Sequence, residues 1–374
     1  MPYMRCGAPF SALTLAMALS MPLAAMADSS SDVTELRAKI AGMMMVGFRG
    51  TSTIGAPDGV NAVRDLGVGG IILFDRDLPS GDGTRNIRSA DQVRSLVADM
   101  QSLSDDGLIV AIDQEGGLIA RLRSDRGFYQ QPSAAELGGG PVEETRAIYA
   151  ETAEMLADLG ITINLAPVVD VNVNPDNPII GQLQRSFGSD PDQVARHAVA
   201  AIAGHHDHGV AAAAKHFPGH GSSRDDSHLG FTDVSDTWSQ DELTPFRAAI
   251  EGGVDTVMTA HVFNRNLDPD WPATLSPTII RTLLRGDLNY DGVVLSDDMQ
   301  MRAIAENYDL ETAMRQGLNA GIDMFIFANQ TVYDPGMIDD AIDIAVDLVL
   351  SGAVPRARID ASHERLAPLR DAAR

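Results

Sequence analysis

Residues 215–230 read Lys215-His216-Phe217-Pro218-Gly219-His220-Gly221-Ser222-Ser223-Arg224-Asp225-Asp226-Ser227-His228-Leu229-Gly230 and follow the apolar run 210–214 directly. Ionisable groups at this density make poor core material. Pro218, Gly219 and Gly221 give the backbone shapes that other residues resist, so the segment reads as a shaped loop at a strand end. Loops of that kind carry binding and catalytic groups. Asp226 stands two residues before His228, where a carboxylate can bond one ring nitrogen and turn the other toward substrate. That is the arrangement of a general acid/base unit; a solvated loop pair is the plainer reading. Lys215 and His216 end the strand and can donate hydrogen bonds to hydroxyls or a carbonyl, or else serve as a rim lysine and a satisfied histidine.

Two further groups have the residue types for chemistry. Gly292-Val293-Val294-Leu295-Ser296-Asp297-Asp298 puts adjacent carboxylates at the end of an apolar run. Neighbours in an extended chain face opposite sides, so Asp297 and Asp298 should have different jobs. Asp113-Gln114-Glu115-Gly116-Gly117, with Arg121 following, offers a carboxylate for hydroxyls and a guanidinium for an oxygen-rich ligand. Other chemistries are less well supported. Asp287-Leu288-Asn289-Tyr290-Asp291-Gly292 imitates the start of a calcium loop, but an apolar strand follows it and the twelfth position lacks a glutamate. His216, His220, His228 and Asp226 include zinc-ligand types, yet they sit on an irregular loop rather than in a His-Glu-x-x-His helix. His205, His206 and His208 fall in a helical run and read as its polar end. No Gly-x-Ser-x-Gly elbow supports a serine nucleophile.

Positioning these groups requires a scaffold that brings distant strand ends together. Apolar runs of strand length occur at 43–48, 69–74, 108–112, 163–169, 210–214, 256–260, 292–295 and 324–328. Helix-like runs alternate with them near 89–104, 143–159, 190–207, 240–251, 277–285 and 309–320, with two more at 336–351 and 358–370. Such alternation predicts βαβ units and a parallel sheet, and eight strands predict a single (β/α)8 TIM-type barrel of α/β class. The residues just after the runs are Asp75-Arg76, Asp113-Gln114-Glu115, Asp170, Lys215-His216, His261, Asp297-Asp298 and Asn329. Polar groups thus gather where a barrel places its active site. An open doubly wound sheet would share part of this pattern, but no Gly-x-Gly-x-x-Gly turn or Walker-type Gly-Lys-Ser/Thr is present.

The 374 residues carry 52 acidic against 28 basic side chains, a surplus that repels nucleic-acid phosphates and anionic membranes. The hydrophobic content of 44% suffices for a core. The N-terminus has Arg5, an apolar run from about Ala8 to Ala25 and a small-x-small site at Ala25-Met26-Ala27, the pattern of a secretory leader. The expected organisation is a removable signal peptide over 1–27 and a catalytic barrel over 28–374. The protein is expected to be exported to the periplasm or medium, away from the membrane once the leader is cleaved, and monomeric. Cleavage also removes Cys6, the sole cysteine, which excludes disulfides and thiolate chemistry from the mature chain.

Taken together, the motifs resemble family 3 glycoside hydrolases, specifically their single-domain bacterial β-N-acetylhexosaminidases. The resemblance rests on residues 69–74, 113–117 and 185–188, on 215–221 with Asp226-Ser227-His228, and on 258–262, 272–276 and 296–299. It implies Asp297 as nucleophile, His228 as acid/base with Asp226 as its partner, and Asp113, Arg121, Arg185, Lys215 and His216 as holders of the sugar ring. No metal or other cofactor is implied, and the partner is a small carbohydrate containing N-acetylglucosamine. Two features depart from the pattern. Leu118 stands where an arginine is expected, and residues 181–184 lengthen the approach to Arg185. The expected activity is retaining removal of terminal β-N-acetylglucosamine from peptidoglycan fragments or chitin oligosaccharides. Phosphorolysis of the same bond, a β-glucosidase, a secreted metallohydrolase and a non-catalytic sugar-binding protein are the alternatives.

Overall fold

The computed structural model describes the backbone of residues 1–2 and 23–374, and side chains for 1–2 and 31–374. Most of the expected leader, including Cys6, lies outside the described residues. Eight parallel strands close into a barrel: β1 (Met44–Gly47), β2 (Gly70–Leu73), β3 (Ile109–Ile112), β4 (Ile163–Asn164), β5 (Ala211–Phe217), β6 (Thr256–Thr259), β7 (Val293–Asp298) and β8 (Met324–Phe327). β1 pairs with β2 on one side and β8 on the other, which closes the ring. All eight fall at the runs read from sequence.

The strands form here because both faces are buried. Met44, Ile71, Val110, Val257, Val294 and Phe325 are inaccessible to solvent or nearly so, as expected for a parallel sheet covered by helices. The covering helices are amphipathic: Ala90–Gln101 buries Val93, Leu96, Val97 and Met100, an i, i+3, i+4, i+7 stripe, and Ser89 caps it by accepting from Gln92 N. Each such buried side chain stabilises the fold by roughly 1.5–3 kcal/mol.

The boundaries differ from the sequence reading at functional strands. β4 stops at Asn164 instead of 169, because Pro167 has no N–H for the ladder; pairing resumes only as a bridge from Val168 to Lys215. β5 runs on through Lys215 and His216 to Phe217, so the expected loop begins three residues later. Its register against β6 shifts between Ala214 and Phe217. β7 likewise includes Asp297 and Asp298 themselves.

At the opposite end of the barrel, Asp323 is fully buried just before β8. Its carboxylate accepts from Val294 N (3.0 Å), Arg285 Nη2 (2.6 Å), Arg358 Nη2 (2.8 Å) and Ser362 Oγ (2.7 Å). This group joins β7, the helix before it and the C-terminal helix Arg356–Ala372. Removing a partner leaves buried guanidinium charge uncompensated, at a cost of about 3–5 kcal/mol. Asp323→Ala is therefore expected to lower the thermal unfolding midpoint by roughly 4–7 °C, read by calorimetry.

Candidate active site

The C-terminal ends of the strands enclose a cavity of about 440 Å³ whose wall includes Asp113, Glu115, Arg121, Arg185, Lys215, His216, Asp226, His228 and Asp297. The residues to which the resemblance gives catalytic or sugar-holding roles are all among these. A larger cleft, about 730 Å³, lies at the other end between Arg281–Asp291 and Pro355–Arg365 and holds none of them. Size alone does not select the site; the convergence of chemically useful groups does.

One wall is a continuous charged chain. Lys215, 2% exposed, places Nζ 2.8 Å from Asp113 Oδ1 and 2.7 Å from Glu115 Oε1. Arg121 Nη2 meets the other Asp113 oxygen at 3.1 Å, and Arg185 grips Glu115 through Nε (2.7 Å) and Nη2 (2.8 Å). Arg185 Nη2 also reaches His216 Nε2 at 3.3 Å, while His216 Nδ1 lies 2.7 Å from Asp170 Oδ2. The ring is thereby held between a carboxylate at Nδ1 and a guanidinium at Nε2. Burial works to raise the pKa of Asp113 and Glu115, but the lysine and arginine charges outweigh it and hold both well below the ordinary range. The lengthened segment 181–184 thus does not displace Arg185 from the wall. Asp113, Lys215 and Arg121 retain unused valence toward the cavity, suiting sugar hydroxyls.

Asp297 ends β7 and is separated in role from its neighbour. Its Oδ1 accepts from Asp298 N at 2.8 Å. Burial works to raise the Asp297 pKa, but the imidazoles of His261, His216 and His228 prevail and lower it, favouring the carboxylate that a nucleophile needs. Asp298 accepts from Gln300 N and Ala328 N and has its pKa pushed up to about 6 by burial, making it a structural tie to the loop after β8. On the loop after β5, Asp226 Oδ1 lies 2.8 Å from both His228 N and His228 Nδ1. The second ring nitrogen is thereby left for substrate. Burial opposes the charged imidazole, yet the Asp226 bond and the Asp297 charge raise the His228 pKa overall. His228 remains 54% exposed at the cavity mouth.

The zinc alternative loses its geometry. His220 bonds Ser223 Oγ (2.9 Å) and Ser227 Oγ (3.1 Å), His216 faces Asp170, and His228 faces Asp226, so the four candidate ligands serve separate partners. His205 is not a polar helix end; it is fully buried, 3.0 Å from Asn164 Nδ2. Glu115, Asp170 and His261 were legible as residues after strands but carried no assigned role. Their pairing with Arg185, His216 and Asp298 O exists only across the closed barrel. Leu118 is 67% exposed at the cavity edge.

The parallel barrel thus brings a carboxylate at the end of β7 and a histidine-carboxylate pair beyond β5 to one cavity, groups of the types that glycoside hydrolysis uses. Comparison with known proteins agrees: the glycosyl hydrolase family 3 N-terminal domain matches residues 35–369. The chain belongs to this family and is a glycoside hydrolase. The β-hexosaminidase LpqI of Mycobacterium tuberculosis is 35% identical over 344 residues, covering 89% of this chain and 82% of the relative. A Pseudomonas aeruginosa β-hexosaminidase is 35% identical over 272 residues, covering 71% and 77% of the two chains. Among solved structures, a family 3 β-N-acetylglucosaminidase from a Paenibacillus species superposes with a TM-score of 0.83 at 37% identity. That alignment covers 90% of this chain and 62% of the Paenibacillus chain. The Beutenbergia cavernae β-N-acetylhexosaminidase gives 0.81 at 29% identity, covering 90% and 98%.

Without the Lys215 ammonium, Asp113 and Glu115 would repel each other in a buried site. Lys215→Met is expected to cost about 3 kcal/mol of stability and at least ~100-fold in kcat/KM, measured by denaturant unfolding and steady-state kinetics.

Proposed function

We propose that the protein is an exported, retaining exo-β-N-acetylglucosaminidase acting on peptidoglycan fragments or chitin oligosaccharides. The observation that carries this reading is one cavity lined by Asp297, by the Asp226–His228 pair and by the Lys215 charge chain. Asp297 attacks the anomeric carbon, the bond to the leaving oxygen breaks, and His228 gives that oxygen its proton. His228, now neutral, takes a proton from water as the water attacks the glycosyl-aspartate. Two displacements at one carbon retain its configuration. The closed, pre-ionised wall of Asp113, Lys215 and Arg121 suits an end sugar held by several hydroxyls, which supports exo action. A neutral imidazole adds no negative charge of its own beside the intermediate, so an anionic acceptor such as phosphate meets less repulsion than it would from a second catalytic carboxylate.

A panel of nitrophenyl β-glycosides with and without phosphate tests the reading. The N-acetylglucosaminide should be cleaved fastest, and free sugar rather than sugar 1-phosphate should accumulate. Asp297→Ala should lose at least ~10⁴-fold in kcat while keeping its fold by circular dichroism. Near-full activity in that variant would reject the nucleophile.

The pH profile has a definite sign. The lowered Asp297 pKa keeps the nucleophile ionised below the ordinary carboxylate range, and the raised His228 pKa keeps the acid protonated above the ordinary histidine value. Asp226→Asn removes a raising contact, so the alkaline limb of kcat/KM on chitobiose should move to lower pH. Nitrophenyl substrates, whose leaving groups need little protonation, should lose less.

A further inference from the structure

Glu242 belongs to none of the groups discussed so far. It is 1% exposed and follows Ser239 in a capping box, its Oε1 accepting from Ser239 N at 3.4 Å. Its other oxygen points away from that turn and under residues 219–222, the root of the loop that carries Asp226 and His228. A methyl group on Gly219 would lie 2.9 Å from Glu242 Cβ and 2.9 Å from Oε2, so only glycine admits this approach. Ser222 faces the carboxyl with hydroxyl and amide, yet Glu242 Oε2 and Ser222 Oγ both remain buried without a well-formed hydrogen bond. From the same segment Trp238 Nε1 donates to Pro218 O at 2.9 Å. Segment 238–242 is therefore the floor on which the loop root rests.

The charges around this carboxyl do not favour its ionised form. From the segment after β4, Asp170 contributes a second buried negative charge while it fixes His216 N and His220 N on the loop's other side. From the loop, His220 is pushed down to about 4 by burial and brings no compensating positive charge. On its own element, Asp241 is exposed, as is Asp236 just before it. Burial first, and Asp170 next among the raising influences, push Glu242 up to about 7.

We propose that Glu242 is a positioning residue: its uncharged carboxyl is the strut beneath the acid/base loop, and its ionisation releases that loop. This rests on the assignment of His228 as acid/base. The neutral acid can donate to Ser222 Oγ and satisfy both orphaned atoms at no cost in charge. The carboxylate can accept from the same hydroxyl and amide, but it adds a buried charge beside Asp170 that outweighs those bonds and is relieved only if the root lifts and admits water. An unfolded glutamate ionises in the ordinary carboxylate range, so the strut weakens as pH rises from there through about 7.

Hydrogen–deuterium exchange of residues 216–231 in the full chain, compared between wild type and Glu242→Gln at equal pH, tests this directly. Glutamine can keep the capping box and mimics the neutral acid. The two proteins should exchange alike at pH 6, and at pH 8.5 the wild-type loop should exchange roughly tenfold faster than the variant. Glu242→Gln should retain activity on chitobiose at pH 6 and exceed wild type roughly fivefold at pH 8.5, whereas Glu242→Ala should be impaired at both. Superimposable exchange at both pH values overturns the proposal, as does an alkaline loss of activity identical in wild type and Glu242→Gln. The exchange comparison repeated in a His228→Asn background separates the two assignments. A persisting pH response of the exchange there sustains the strut, whereas near-wild-type activity of His228→Asn on chitobiose rejects His228 as the acid/base.

Discussion

The ammonium of Lys215 between Asp113 and Glu115 is the interaction on which the site depends. Two carboxylates from the end of one strand can share a buried wall only if a compact cation sits between them. The chain has only two lysines, Lys39 and Lys215, against 26 arginines. A planar guanidinium would reach one carboxylate bidentately; a point charge on a slim stem can be shared by two. With that centre in place, Arg121 and Arg185 complete the chain on either side, and Arg185 passes the constraint to His216 and Asp170. The wall is then fixed before any substrate arrives, which is how enzymes avoid reorganisation during the reaction.

Asp170 carries the same constraint into the loop. It holds His216 and His220 N, and the chain after it comes so close to the loop that a Cβ on Gly221 would lie 1.7 Å from Val171 O. Gly219 adopts φ +126°, the left-handed side that glycine accepts. The two glycines therefore serve different ends, one a backbone bend and the other a close approach. The root of the loop is pinned, while Arg224, Asp225 and His228 are exposed beyond it. A pinned root that leaves His228 exposed at the cavity mouth suits an acid/base group that must reach a leaving oxygen and then a water.

Asp297 and Asp298 show how neighbours acquire opposite properties. Imidazoles near one favour its ionised form, whereas burial and the neighbouring Asp297 charge raise the other to about 6 against the opposing pull of the Ala328 and Gln300 amides. Both line the cavity, but only Asp298 is tied by backbone amides of the loops that follow β7 and β8, which separates their surroundings.

The order of the strands, the barrel class and the residues at the mouth were written locally in the chain. Apolar runs, caps and glycines act over a few residues, so Val293-Val294-Leu295 or the Ser89 cap can be read without knowing their neighbours. The Asp226–His228 pair was legible for the same reason: its partners are two residues apart. The roles of Glu115, Asp170, His261, Asp323 and Glu242 were not legible. Each depends on a group tens of residues away that arrives only when the barrel closes, as with Glu115 and Arg185, 70 residues apart. Local sequence thus determined which groups stand at the strand ends. Tertiary structure decided which of them share a proton, a charge or a buried hydrogen bond, because electrostatic coupling follows distance in space and the strength of desolvation, and neither is set until the chain is folded.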